Sequence, residues 1–294
     1  MNNRRIIART LFATALLALL VACSTVRLAY NQAPNLVYWW IDDYADLDSS
    51  QTPEVRRDID QFLGWHRRSE LPGYGVLLQQ WQALAPQDMT TSQTCTQFDA
   101  VRSALMRAGE RGVEPLARLA LSLGPEQQTH LQRHQRKANQ KFEKDFLRGS
   151  PEQRMKKRLD QAVSRSETLY GKLSPAQREL LQAGLQRSPF DPQTSLQERT
   201  RRQADLRQTV QALQNANGDA ATPTPAALDT ARQFLTRVLQ SPTPGYQTYN
   251  QAMVEHGCAQ FAALHNSTTA EQRAHAVRVL KGYEDDLRVL VAQR

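Results

Sequence analysis

Phe142 to Leu173 reads FEKDFLRGSPEQRMKKRLDQAVSRSETLYGKL, and the spacing of its apolar residues decides the fold. Phe142, Phe146, Met155, Leu159, Ala162, Val163, Leu169 and Leu173 fall at three- and four-residue steps, interrupted only at Gly149-Ser150-Pro151. A period near 3.6 places one apolar stripe on a helix face and leaves the opposite face to charged residues. Leu206, Val210 and Leu213 repeat the pattern, as do Phe234, Leu235, Val238 and Leu239, and then Ala276, Val277, Leu280, Leu287 and Leu290. No segment alternates apolar and polar residues for long, so strands are not expected. The spacing predicts an all-α chain, an elongated multi-helix bundle of amphipathic helices joined by short loops that contain Pro or Gly.

The helix starts are marked by a recurring pattern, a capping residue followed three positions later by Gln. It occurs at Thr90–Gln93, Gly124–Gln127, Ser150–Gln153, Ser174–Gln177 and Thr269–Gln272. A Ser or Thr side chain at the cap accepts from an otherwise unpaired backbone amide, and the Gln side chain accepts from the amide of the cap itself. Pro at the first helical position has no N–H to leave unpaired. Asn215 to Pro225 is polar and rich in small residues, so a flexible loop is expected near 215–225 within one all-α domain over 35–294.

The first residues carry an address. Arg4, Arg5 and Arg9 precede the apolar run Leu11 to Val21, which is too short to cross a bilayer, and Ala22-Cys23 follows. Residues 1–22 are read as a signal peptide and residues 23–34 as a linker. Removing the three Arg of the leader lowers the formal charge from +8 to +5. Acids and bases are interspersed, with no clustered basic face and no recognisable nucleic-acid module, so nucleic acid is not an expected partner. With Cys23 set aside, Cys95 and Cys258 remain, more than 160 residues apart. In an oxidising compartment two such thiols read as one disulfide, worth roughly 5 kcal/mol in a chain-entropy model. Each heads a Cys-x-Gln-Phe pattern, Cys95 to Phe98 and Cys258 to Phe261, which reads as two helix starts packed together.

Two segments are candidate interaction sites. Tyr38, Trp39, Trp40 and Tyr44 crowd one short stretch near the N-terminus, either as a membrane-surface face or as bundle core. His66, Arg67, Arg68, Glu70 and Tyr74 form the other, around Leu71-Pro72-Gly73; His66 and Glu70 are spaced to pair, and the cations suit a helix C-terminus. His130 and His134 share a helix face, but Leu131 stands where a zinc protease carries its Glu, and Arg133, Arg136 and Lys137 make the face cationic. No catalytic residue, metal site or cofactor is expected. A hydrolase using His66 with Glu70, or a metal protein using His130 with His134, is the competing enzymatic reading.

Leu20-Val21-Ala22-Cys23 resembles a bacterial lipobox, and Ser24 in place of Asp resembles an outer-membrane address in Gram-negative lipoproteins. With Tyr30-Asn31, Trp39-Trp40-Ile41-Asp42-Asp43-Tyr44 and His66-Arg67-Arg68-Ser69-Glu70-Leu71-Pro72, the chain resembles an uncharacterised Gram-negative lipoprotein family, a domain of unknown function. That resemblance implies lipid on Cys23 and the periplasmic face of the outer membrane, and carries no activity. Leu123 to Gln127 and Leu173 to Gln177 are similar to the Leu-Thr-x-x-Gln motif of small periplasmic helical chaperones. The expected function is a non-enzymatic scaffold or assembly role in the cell envelope with an unidentified envelope protein as partner; the alternative is a chaperone-like holdase. The sequence sets no oligomeric state. Metabolic labelling with a palmitate analogue is expected to mark the protein and to be lost in Cys23→Ser; labelling that survives the substitution contradicts the anchor.

Overall fold

The computed structural model describes residues 25–215 and 220–293, and its regular elements there are twelve α-helices. They are α1 (Thr25–Asn31), α2 (Ala33–Ala45), α3 (Gln51–Ser69), α4 (Leu71–Leu84), α5 (Thr91–Ser122) and α6 (Pro125–Phe146). There follow α7 (Pro151–Tyr170), α8 (Pro175–Arg187), α9 (Pro192–Asn215), α10 (Pro225–Leu239), α11 (Tyr246–Asn266) and α12 (Ala270–Ala292). The signal peptide, Cys23 and residues 216–219 of the expected loop lie outside the described residues.

The anticipated helix starts are built as the pattern requires. Thr90, Ser150, Ser174 and Thr269 each accept from the amide of the Gln three residues on, and that Gln accepts from the cap's own N–H. Gly124 has no side chain to offer, so only the second bond forms there, with Gln127 Oε1 2.9 Å from Gly124 N. The amide NH2 of three of these Gln is then free to reach across the bundle. Gln177 Nε2 donates to Gln272 Oε1 at 2.7 Å, and Gln272 Nε2 donates back at 3.1 Å, which links the N-termini of α8 and α12. Gln127 Nε2 donates to Gln51 Oε1 and to the carbonyl of Asp46, which ties α6 to the start of α3. A local capping signal thus also sets tertiary contacts.

Residues 25–31, expected within a linker, are helical. The bonds from Gln32 N to Leu28 O and from Leu36 N to Gln32 O, both 3.0 Å, carry the α-helical ladder across the join between α1 and α2. Arg27 reaches Asp286 on α12 at 3.1 Å and holds this end against the bundle.

The longest helix, α5, is the common support. It packs on α3, α4, α9, α10 and α11. The Cys95–Cys258 disulfide joins it to α11 across 163 residues of sequence. Cys95 lies in the first turns of α5, as expected, but Cys258 lies in the middle of α11 and not at a helix start. Phe261 packs its half-buried ring on Trp81 and His265, while Phe98 is exposed, so the shared Cys-x-Gln-Phe pattern has no shared environment. On the other side, Arg107 holds Glu70 and Arg118 holds Asp58, each through two guanidinium nitrogens. The pairs run in opposite order along the two helices, which fixes α3 and α5 as antiparallel and sets their register.

One core cluster joins α7, α8, α11 and α12 through Val163, Tyr170, Leu173, Leu181, Leu264 and Ala276. Tyr170 Oη sits 2.9 Å from His265 Nδ1, and His265 Nε2 lies 2.7 Å from the carbonyl of Gln87. The carbonyl requires a proton on Nε2, so Nδ1 accepts from the phenol. Asp58 and Arg118 are both largely withdrawn from solvent, and removing one partner strands the other charge. Arg118→Ala is expected to cost about 3 kcal/mol in urea unfolding; a loss under about 1 kcal/mol contradicts the register role.

Candidate interaction surface and the histidine cluster beside it

Contacts divide the aromatic segment of α2: Tyr38 and Tyr44 touch neighbouring helices, while Trp39 and Trp40 keep more than half of their surface exposed. Tyr38 Oη bonds Thr52 Oγ1 at 3.1 Å, with the Arg56 guanidinium 3.7 Å from the ring centroid. Tyr44 packs on Trp40 at 4.9 Å and on His134 at 3.9 Å between centroids. Trp39 is 59% exposed and Trp40 62%. The bundle-core reading of the two Trp is therefore set aside. Leu36 and Val37 are exposed beside them, and Leu28 continues the apolar stripe onto α1.

His130 and His134 hold this face in place from behind. His134 Nε2 lies 2.7 Å from the Asp43 carboxylate, and His130 Nε2 lies 2.9 Å from the Asp43 carbonyl. The pair clamps α6 onto the end of α2. Among the described residues, no three His, Cys, Asp or Glu side chains converge as a metal-holding group.

The second candidate segment comes together, but with other partners than its spacing suggests. His66 hydrogen-bonds two phenols, with Tyr30 Oη 3.0 Å from Nδ1 and Tyr74 Oη 3.3 Å from Nε2. The expected His66–Glu70 pairing does not form as a hydrogen bond, because Arg107 takes both carboxylate oxygens of Glu70. A guanidinium fork on a carboxylate outcompetes a single imidazole contact. That contact holds the Glu70 carboxyl below its usual range, while burial pushes His66 down and Tyr30 and Tyr74 up. Arg67 stacks over Tyr30 at 5.4 Å, and Arg68 is exposed. Pro72 opens α4 directly after the Glu70 junction, as the helix-end reading anticipates. Both ring nitrogens of His66 are occupied by protein groups, so the cluster fastens α1 to α3 and α4.

Sequence reasoning missed Tyr30 and Arg107. Tyr30 lies in the stretch read as linker, and Arg107 sits in mid-helix without a local cue. It also missed Glu198, whose carboxylate takes Arg201, Arg202, Ser241 and Thr243 and is held down to about 2 although burial opposes this. That hub fixes the turn before α11 to α9.

A second exposed apolar surface runs along the first half of α5. Phe98, Val101 and Leu105 follow at three- and four-residue steps, with Met106 beside them, and Leu105 is 65% exposed. About 17 Å of helix separates Leu105 from Leu116, at 1.5 Å per residue, so this stripe is distinct from the α2 face.

These features define an all-α, disulfide-closed bundle with exposed apolar faces on α2 and α5. A model described as a family of unknown function, DUF6279, matches residues 43–220, and the chain belongs to that family. No curated protein and no solved structure matches the chain.

The buried histidines give the protein a pH dependence. Burial lowers both His66 and His265 in the folded chain. The unfolded chain therefore binds their protons more readily, and stability falls as pH drops below the ordinary His value of about 6.5. Carboxylates held low, such as Glu198, add their loss only below about 4.5. Thermal melts are expected to shift down between about pH 7.5 and about pH 5.5, and a His66→Asn, His265→Gln double variant is expected to flatten that slope. A wild-type slope of zero in this window contradicts the assignment.

Proposed function

We propose that this protein is an outer-membrane-anchored periplasmic lipoprotein with a non-enzymatic scaffold role in the cell envelope. The observation that carries the reading is the pair of adjacent Trp, each more than half exposed, on a helix rigidly held from behind. An apolar patch of this kind is covered in the working assembly. Lipid on Cys23 would bring α1 and α2 to the bilayer surface, where Trp is favoured at the headgroup level. The disulfide fits an oxidising, extracytoplasmic compartment. Among the described residues no helix is long and apolar enough to cross a membrane, so attachment would fall to the lipid and to this face.

The α5 stripe is then the surface for a protein partner. It is apolar, more than one helical turn long and distant from the membrane face. Both ring nitrogens of His66 are paired within the protein, which favours interaction over catalysis at that cluster. The holdase alternative would use the same α5 stripe for many clients.

In-cell crosslinking from probes at Trp40 and Leu105, read by mass spectrometry, separates these readings. The expected result is lipid adducts from Trp40 and one or two recurrent envelope proteins from Leu105. A diffuse set of unfolded outer-membrane proteins from Leu105 would replace the scaffold with the holdase, and protein adducts from neither position would remove both.

A further inference from the structure

Where α2, α5, α9 and α10 meet, the bundle leaves an apolar hollow of about 320 Å³. Val113 and Ala117 of α5, Val210 and Leu213 of α9, and Leu235 and Val238 of α10 form its inner wall. No charged side chain lines it. Thr209 brings a hydroxyl to the wall, and that oxygen already accepts from Arg237 at 3.2 Å. Trp40 and Leu116 also line the hollow, and both are about 60% exposed, so it opens between α2 and α5.

The lining selects the occupant by chemistry. A polar ligand or an extended peptide would bury unpaired donors and acceptors against these walls. An acyl chain carries no donor or acceptor to leave unpaired there. A methylene is close in size to a water molecule at about 30 Å³, so the space takes on the order of ten methylenes in line.

The mouth says where that chain comes from. Trp40 belongs both to the hollow and to the exposed stripe of Leu28, Leu36, Val37 and Trp39. Only Ser24 separates the lipidation residue Cys23 from the start of α1. With Cys23 lipidated as proposed above, the stripe and the mouth would lie at the bilayer surface. The anchor's own chains start too far off, since Thr25 to Trp40 spans about 22 Å of helix.

We propose that this hollow binds one acyl chain of a membrane phospholipid, with the headgroup left outside beside Trp40. The proposal rests on the reading that Cys23 anchors the chain at the membrane. It gives the protein a lipid-sensing or lipid-holding capacity beyond a scaffold role.

The test uses the full lipidated chain in vesicles of phosphatidylethanolamine and phosphatidylglycerol, doped with a phospholipid carrying a diazirine at its acyl terminus. Photolysis and peptide mapping are expected to place adducts on Val113, Val210 and Leu213 as well as on Trp39 and Trp40. Ala231→Trp fills the hollow and is expected to lower the inner adducts about tenfold, the equilibrium loss for denying about two methylene contacts, while adducts on Trp39 and Trp40 persist. Ala120→Phe fills it from the opposite wall and serves as the second variant, with the thermal midpoint of each checked against wild type. Adducts on Trp39 and Trp40 with none on the inner residues overturn the lipid site and leave the membrane reading standing. Adducts on neither set overturn both. Inner adducts undiminished in both folded variants, or abolished by equimolar free palmitate, overturn the phospholipid assignment.

Discussion

The contact between α5 and α3 governs the rest of the molecule. Arg118 on Asp58 and Arg107 on Glu70 set two long helices antiparallel in one register, and the disulfide at Cys95 fixes the far end of α5 to α11. Neither carboxylate is open to solvent as a residue. A buried carboxylate tolerates only a registered partner, since a one-turn slip would leave charges unpaired. The register specifies the bundle as much as it stabilises it. With α5 held, its other faces receive α9, α10 and α11, and the Gln177–Gln272 bridge closes the second half of the chain.

The position of the α2 face follows from that frame. α2 packs on α3 and α6, and the His130 and His134 contacts to Asp43 fix its end. Tyr38 and Tyr44 make these contacts, while Trp39 and Trp40 stay mostly exposed, Trp40 with one edge at the mouth of the hollow. Burying two Trp would be worth several kcal/mol at ordinary transfer values of about 25 cal/mol per Å². Their exposure on a helix held by its neighbours is the strongest physical argument for a surface that covers them.

Much of the fold was legible in the sequence, because helix periodicity and capping are local physics. The run Phe142 to Leu173 and the Gln of each capping pattern carry that information in adjacent residues. What escaped was long-range. Spacing made Glu70 a partner for His66, but Arg107 from another helix offered a better geometry for the same carboxylate. Tyr30 was hidden because seven-residue α1 has too few apolar positions to show a period. The 100° step could not divide the aromatic segment, since it sets Trp40 only about 40° from Tyr44; which rings stay outside depends on how α3 and α6 pack on α2. The Cys-x-Gln-Phe repeat misled for the opposite reason, since four residues are too few to define an environment.

The account turns on the outward face of α2, and tryptophan quenching in vesicles tests it most directly. The lipidated chain would be placed in vesicles whose phospholipids carry bromine along the acyl chains. Trp39 and Trp40 reach the bromines if the face lies on the membrane, whereas Trp65 and Trp81 stay half-buried in the bundle. The account predicts strong quenching that largely disappears in a Trp39→Phe, Trp40→Phe variant. Quenching absent from the wild type, or unchanged in that variant, would contradict it.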